Sequence, residues 1–271
     1  MFKRNITMIA NTLLRIPGWI ILVSLLIPIY FMYGRGIAYS ISNNFWENIF
    51  CDSFLLKLWV PMSLLVLLSG IGIAKEDDAT RYLRMGKRQT VARINLISAF
   101  LAVLVFAFAI LVIYALFFRL HNHMSLANQW SPGVLATANL EEGYGSLYPA
   151  PIVIRTFSPI GAVMLEMLFL ILYSFFLAVV SMTVNALFKQ SIGSIICIFS
   201  VMVVALFGAR NYQEFSFYPF YNGQFKALTE INNFNFVNYA ILYWAAALTL
   251  AITFYCLVMR KVDLISLSRE K

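Results

Sequence analysis

Six apolar runs, each close to the length of a membrane crossing, alternate along the chain with shorter polar segments. They occupy residues 17–33, 54–74, 96–118, 159–188, 191–209 and 237–259. A helical crossing takes about 20 mostly apolar residues to cover roughly 30 Å of hydrocarbon. The only other spanning solution, a closed β-barrel, alternates apolar and polar residues over strands of about ten. Residues 100–118, FLAVLVFAFAILVIYALFF, do not alternate. The pattern therefore predicts an all-α polytopic membrane protein, with one transmembrane domain over 1–271 and six transmembrane helices.

The polar segments predict the rest of the layout. Phe2, Ile6, Ile9 and Leu13 recur at helical spacing among Lys3, Arg4, Asn5, Asn11 and Arg15. This is an amphipathic helix over 1–16 that lies in the membrane interface, and Pro17–Gly18 separates it from the first span. Residues 75–95 form a charged hairpin between spans two and three. The loop 119–158 is cut into turns by Pro132, Pro149 and Pro151 and by Gly133, Gly143 and Gly145. Trp130, Leu135, Leu140, Tyr144, Leu147 and Tyr148 give that loop apolar surface to bury. The loop 210–236 carries nine Phe or Tyr residues among polar ones, a mixture suited to the headgroup region. Interfacial or re-entrant helices are expected there, before span six at 237–259 and a tail at 260–271. In the loop before span two, Phe45 and Trp46 are expected to anchor at the headgroups.

Composition agrees with this. Of the 271 residues, 61% are hydrophobic and 12% charged, about half the quarter usual in soluble domains. Orientation follows from Lys and Arg beside the spans. With the N-terminus inside, fourteen fall on the inner side: Lys3, Arg4, Arg15, six in the charged hairpin, Lys189, Arg260, Lys261, Arg269 and Lys271. Five fall outside: Arg35, Arg119, Arg155, Arg210 and Lys226. Both termini are then cytoplasmic. The net charge of +8 reflects this topology and contact with anionic lipid. It does not point to nucleic acid, because the charges are not gathered into one stripe. Cys197 and Cys256 fall in spans and Cys51 stands alone, so no disulfide framework is expected. No cleavage pattern precedes the first run, which is expected to be retained.

Two charges fall within predicted spans, Lys57 near the outer end of the second and Glu166 two turns into the fourth. A bare charge there costs a few kcal/mol or more (~2.5 kcal/mol upward) unless paired or hydrated. Either the two form an intramembrane ion pair or line a hydrated vestibule, or Lys57 snorkels to the headgroups and Glu166 faces the loop. In the fourth span Ser174, Ala178, Ser181 and Asn185 form one small-to-polar stripe, suited to helix packing or to a pathway. His121 and His123, the only histidines, lack companion ligands, so no metal site is expected. The chain has no GxxxxGK(S/T) phosphate loop, no HExxH and no Ser/His/Asp set, and Glu141 and Glu142 are adjacent rather than opposed. The chain is not expected to be an enzyme by itself.

The charged hairpin begins KEDDATRYLRMGKRQTVAR. Its acids (Glu76, Asp77, Asp78) precede its bases (Arg81, Arg84, Lys87, Arg88), the order that suits a helix macrodipole. Asp78 is placed to cap a short helix from Ala79, Tyr82 and Met85 share a face, Gly86 stops it, and Thr90 caps the run into span three. Acids beside an anionic leaflet oppose simple lipid contact; a protein partner accounts for both signs.

Taken together, the amphipathic start, six spans, EDDATRYLRMGKR at 76–88 and the aromatic loop at 210–236 resemble the permease subunits of ABC transporters of the ABC-2 (type V exporter) class. The resemblance covers the whole chain and rests on layout. One departure is that Met85–Gly86 stands where such hairpins often have a proline. The resemblance implies a bacterial cytoplasmic membrane location and two permease chains, identical or paralogous, around a central pathway. It also implies that 76–88 is a coupling helix seated in a separate cytoplasmic ATPase dimer. Asp77, Asp78, Arg81, Tyr82, Arg84 and Met85 would make that contact. ATP and Mg would bind the ATPase, and no cofactor this chain. The cargo would be amphipathic, such as a peptide or antimicrobial, with lipid or drug-like substrates as alternatives. An ion-coupled secondary transporter is the competing class, although such proteins often show repeats around midplane charges and none is evident here.

Overall fold

The computed structural model describes residues 44–47, 53–68, 88–122, 125–138, 151–188, 192–207, 217–223 and 235–261. These residues are almost entirely helical and contain no strand; an isolated bridge pairs Asn44 with Ser125. In chain order the helices are α1 (Ser53–Leu68), α2 (Arg88–Asn122), α3 (Pro132–Ala138), α4 (Pro151–Thr156), α5 (Pro159–Phe188), α6 (Ile192–Phe207), α7 (Pro219–Asn222) and α8 (Phe236–Lys261). Among them α2, α5 and α8 are long and apolar enough to cross a membrane. A helix satisfies its own backbone groups, which is why lipid-exposed chain takes this form. The molecule is an α-helical membrane protein. The expected first span, 17–33, and the interfacial helix at 1–16 lie outside the described residues, as do 69–74 of the second span.

The expected boundary before span three is corrected by α2. The helix begins by Arg88, so residues 88–95 belong to it rather than to the hairpin, and Thr90 is an interior helical residue rather than a cap. The helix also continues past Phe118 to Asn122. No Gly or Pro occurs between Arg88 and Asn122, so nothing in the chain breaks the hydrogen-bond ladder. Its 35 residues make a rod of roughly 52 Å.

Helix α5 is the centre of the bundle and packs against α1, α2, α6, α7 and α8. Its Ala162, Val163, Ala178, Val179 and Met182 are fully enclosed. Large apolar residues point outward elsewhere, including Ile195 and Phe199 on α6 and Leu242 and Leu250 on α8. In water such faces would mark interaction sites; on membrane helices they are lipid-compatible surface. Pro61 lies within α1. It has no N–H to give the Lys57 carbonyl one turn back.

One end of the bundle is closed by a strap. Phe45 N–H donates to Ser125 O (3.0 Å), and the Asn44 amide donates to Ala127 O (2.9 Å) and Gln129 O (2.7 Å). Trp46 Nε1 donates to Leu126 O (3.1 Å), and Ser131 N–H donates to Glu47 Oε1. Asn128 Oδ1 accepts from Ile160 N–H (3.1 Å), and Trp130 Nε1 donates to Phe157 O (2.8 Å), so the strap also holds the start of α5. Phe45 is 3% exposed. It is a core residue of the strap, which corrects its expected place at the headgroups. Leu135, expected to bury the loop, is exposed, and Val134 takes the inside position.

Candidate functional site

The expected partner-contact residues Asp77, Asp78, Arg81, Tyr82, Arg84 and Met85 lie outside the described residues. What is described is the end of the bundle from which that segment emerges, where α2 starts and α8 finishes. This end carries Arg88, Arg93, Arg260 and Lys261, and it is called the basic end below.

Two polar links join α2 to α8 there. Asn95 Nδ2 donates to Tyr255 Oη (3.1 Å), and both residues are buried. With the Gln89 amide turned so that both groups are satisfied, its oxygen accepts from Arg260 Nη2 (3.0 Å) and Nε (3.2 Å). A guanidinium is well suited to such a forked contact because its donors are fixed in one plane. Val91, Ala92, Val258 and Met259 are buried at the same end. Sequence reasoning named Arg260 only as an inner-side base and singled out none of Gln89, Asn95 and Tyr255. Asn95 stands one position before the expected start of span three, and Tyr255 is one aromatic among fourteen tyrosines.

The stripe on α5 is buried along its whole length: Ser174, Ala178, Ser181 and Asn185 are each 2% exposed or less. Its lower half meets α6. Ser181 Oγ and Ser194 Oγ are 2.8 Å apart, and Asn185 Oδ1 accepts from Gly193 N–H at 2.7 Å. Gly193 makes this approach feasible, since a Cβ there would lie 2.3 Å from Ser181 O and 2.7 Å from Asn185 Oδ1. Small residues allow membrane helices to come this close, and polar ones then bond across the contact. Higher up, the Ser174 hydroxyl has no hydrogen-bond partner among the described residues.

Lys57 and Glu166 sit on helices packed against each other, α1 and α5. Both helices start at the strap end, with Lys57 four residues into α1 and Glu166 seven into α5, roughly 6 and 10 Å along the axes. Glu166 is 3% exposed. The Lys57 side chain lies outside what is described, so the pair is not judged by this geometry.

Of the aromatic loop, α7 and its flanks are described. Phe220, Tyr221 and Asn222 are buried against α5, α6 and α8. Tyr221 Oη donates to Val204 O (2.9 Å), Trp244 Nε1 donates to Asn222 O (3.0 Å), and Tyr243 Oη donates to Phe217 O (2.9 Å). Tyr173 packs on Phe220 and Trp244 with ring centroids 6.1 and 6.3 Å apart. Gly223 follows α7 directly; a Cβ there would approach Tyr173 Cβ and Cγ to 3.2 Å. The loop density of aromatics predicted surface anchoring, whereas this portion is tied into the bundle by donor groups that need buried acceptors.

Among the described residues, no cluster of three or more His, Cys, Asp or Glu is arranged to hold a metal. Comparison of the chain with protein-family models, with curated proteins and with solved structures finds no match in any of the three.

Proposed function

We propose that this chain is the membrane-spanning permease subunit of an ATP-driven exporter of the ABC-2 type, resident in a bacterial cytoplasmic membrane with both termini cytoplasmic. One observation carries this: the dense charged segment 75–87 stands immediately before α2 in the sequence, and α2 is a single helix of 35 residues that is long enough to reach beyond both faces of a bilayer. A segment so charged, joined to a rod so long, is suited to receive a push on one side and deliver it across. In this reading residues 76–88 form the coupling helix, and Asp77, Asp78, Arg81, Tyr82, Arg84 and Met85 contact a separate ATPase dimer. Two permease chains enclose the pathway. The ATPase alone binds ATP and Mg, and it biases two states of different cargo affinity. The cargo is amphipathic, of the peptide or antimicrobial class, which makes export or self-protection the outcome. In this reading α7 belongs to the interfacial or re-entrant elements between spans five and six, and its burial against α5, α6 and α8 supports that assignment.

Co-purification tests the proposal. The tagged chain, extracted under mild conditions from its native membrane, brings down an ATPase, and Arg84→Glu weakens that complex. A chain that purifies alone and moves solute in response to an ion gradient would sink it. That second class has one observation in its favour. Glu166 is buried on a helix packed against α1, and ionisable groups inside a membrane bundle often mark ion pathways.

A further inference from the structure

We infer that α2 and α8 form one rigid pair, pinned at two points at the basic end, so that any displacement of the segment preceding Arg88 moves α8 together with α2. The inference builds on the coupling role proposed above, but the rigidity itself stands on geometry.

The two pins share one antiparallel register. Moving from Gln89 to Asn95 advances six residues along α2, and moving from Arg260 to Tyr255 retreats five along α8. At 1.5 Å per residue these are roughly 9 and 7.5 Å, so the links lie at two matching heights, about one and a half turns apart. One link would leave a hinge. Two links at different heights resist both pivoting and sliding. The deeper pin is sealed, with Asn95 2% and Tyr255 0% exposed. Breaking it would leave two polar groups with no water to replace the lost partner.

The other contacts of α2 are of a different kind. Among the described residues, these two links are its polar side-chain contacts with other helices, and the Ser98 hydroxyl one turn beyond Asn95 has no partner. Against α5 it presents an edge-on ring contact, Phe100 to Phe175 at 5.2 Å and 72°, and α2 buries small apolar residues such as Ala99 and Ala102. Among the described residues no side-chain hydrogen bond crosses the α2–α5 contact, so its register rests on the shape of the packed side chains, whereas the α2–α8 register is fixed by polar pairs as well. Shear should therefore occur between α2 and α5, not between α2 and α8.

Distance measurements between spin labels test this on the full chain in lipid nanodiscs, diluted with unlabelled chain and with Cys51→Ser, Cys197→Ala and Cys256→Ala replacing the native thiols. Labels at Arg93→Cys and Leu257→Cys report on α2–α8; Arg93→Cys and Phe188→Cys report on α2–α5. All three positions are exposed and none forms a pin. The α2–α8 distance distribution is expected to be about twofold narrower than the α2–α5 one, as for a locked pair beside a sliding contact. It should broaden to match when Gln89→Ala and Asn95→Leu are combined, while Ser98→Ala leaves it narrow. With the co-purified ATPase and ATP, Mg and vanadate, α2–α5 shifts and α2–α8 does not. An α2–α8 distribution as broad as α2–α5, or one unchanged by removing both pins, overturns the inference. A narrow α2–α8 distribution with no response of α2–α5 to nucleotide supports the rigid pair and counts against the exporter reading alone. Should the double variant fail to fold, the parent comparison between the two label pairs still decides.

Discussion

Two helix contacts, α5 with α6 and α2 with α8, each use a buried asparagine amide, yet hold their helices in different ways. Between α5 and α6 the backbones themselves meet: Asn185 reaches the Gly193 N–H, and the space for a side chain at Gly193 is already filled by Ser181 O. Between α2 and α8 the described polar contacts run from side chain to side chain, Asn95 to Tyr255 and Gln89 to Arg260. The first contact has no room for added volume at Gly193. The second fixes register through side-chain pairs at two points. Close packing therefore suits a permanent seam, and side-chain pins suit a pair of helices that has to travel.

Substitutions sort by this difference. Gly193→Val should be the most damaging, since its Cβ alone would lie 2.3 Å from Ser181 O. A loss of about 3 kcal/mol or more is expected from such overpacking, read as a lowered unfolding midpoint in bicelles; a midpoint within error of the parent would mean that α5 and α6 are free to part. Asn185→Leu comes next. It removes the buried acceptor of the Gly193 N–H, and about 1–3 kcal/mol should be lost in the same assay. Asn95→Leu should cost less, roughly 0.6–1.7 kcal/mol, the range of hydrogen bonds between membrane helices. If its cost equals that of Gly193→Val, the distinction between seam and pin collapses. Ser181→Ala removes only the hydroxyl pair with Ser194 and should cost about 0.6 kcal/mol. Ser98→Ala should be close to neutral, because that hydroxyl has no partner among the described residues. A clear destabilisation there would reveal a contact of Ser98 that the described residues do not include.

The stripe on α5 could be found in the sequence because its four members lie within a single helix, where a spacing of three and four residues is a local property. Its counterpart, Gly193 with Ser194, passed unnoticed, since a glycine in an apolar helix has many uses until its neighbour is known. The partners of the Asn95–Tyr255 pin are separated by 160 residues, and neither half carries a local signal. Phe45 shows the same limit from the other direction. An aromatic residue in a polar loop suits the headgroup region, but residues 125–131 fold over it and make it core. Pro61 illustrates a local rule overridden: proline usually ends a helix, yet α1 continues through it.

What the chain determines by itself is its helicity and the long apolar crossings. In lipid every backbone N–H and C=O has to be satisfied within its own segment, and twenty or more apolar residues without a breaker leave one solution. Which polar side chains meet was decided only by tertiary structure. That choice depends on the relative height and rotation of helices far apart in sequence, and a shift of one residue turns a side chain by about 100° and so points it at a different neighbour.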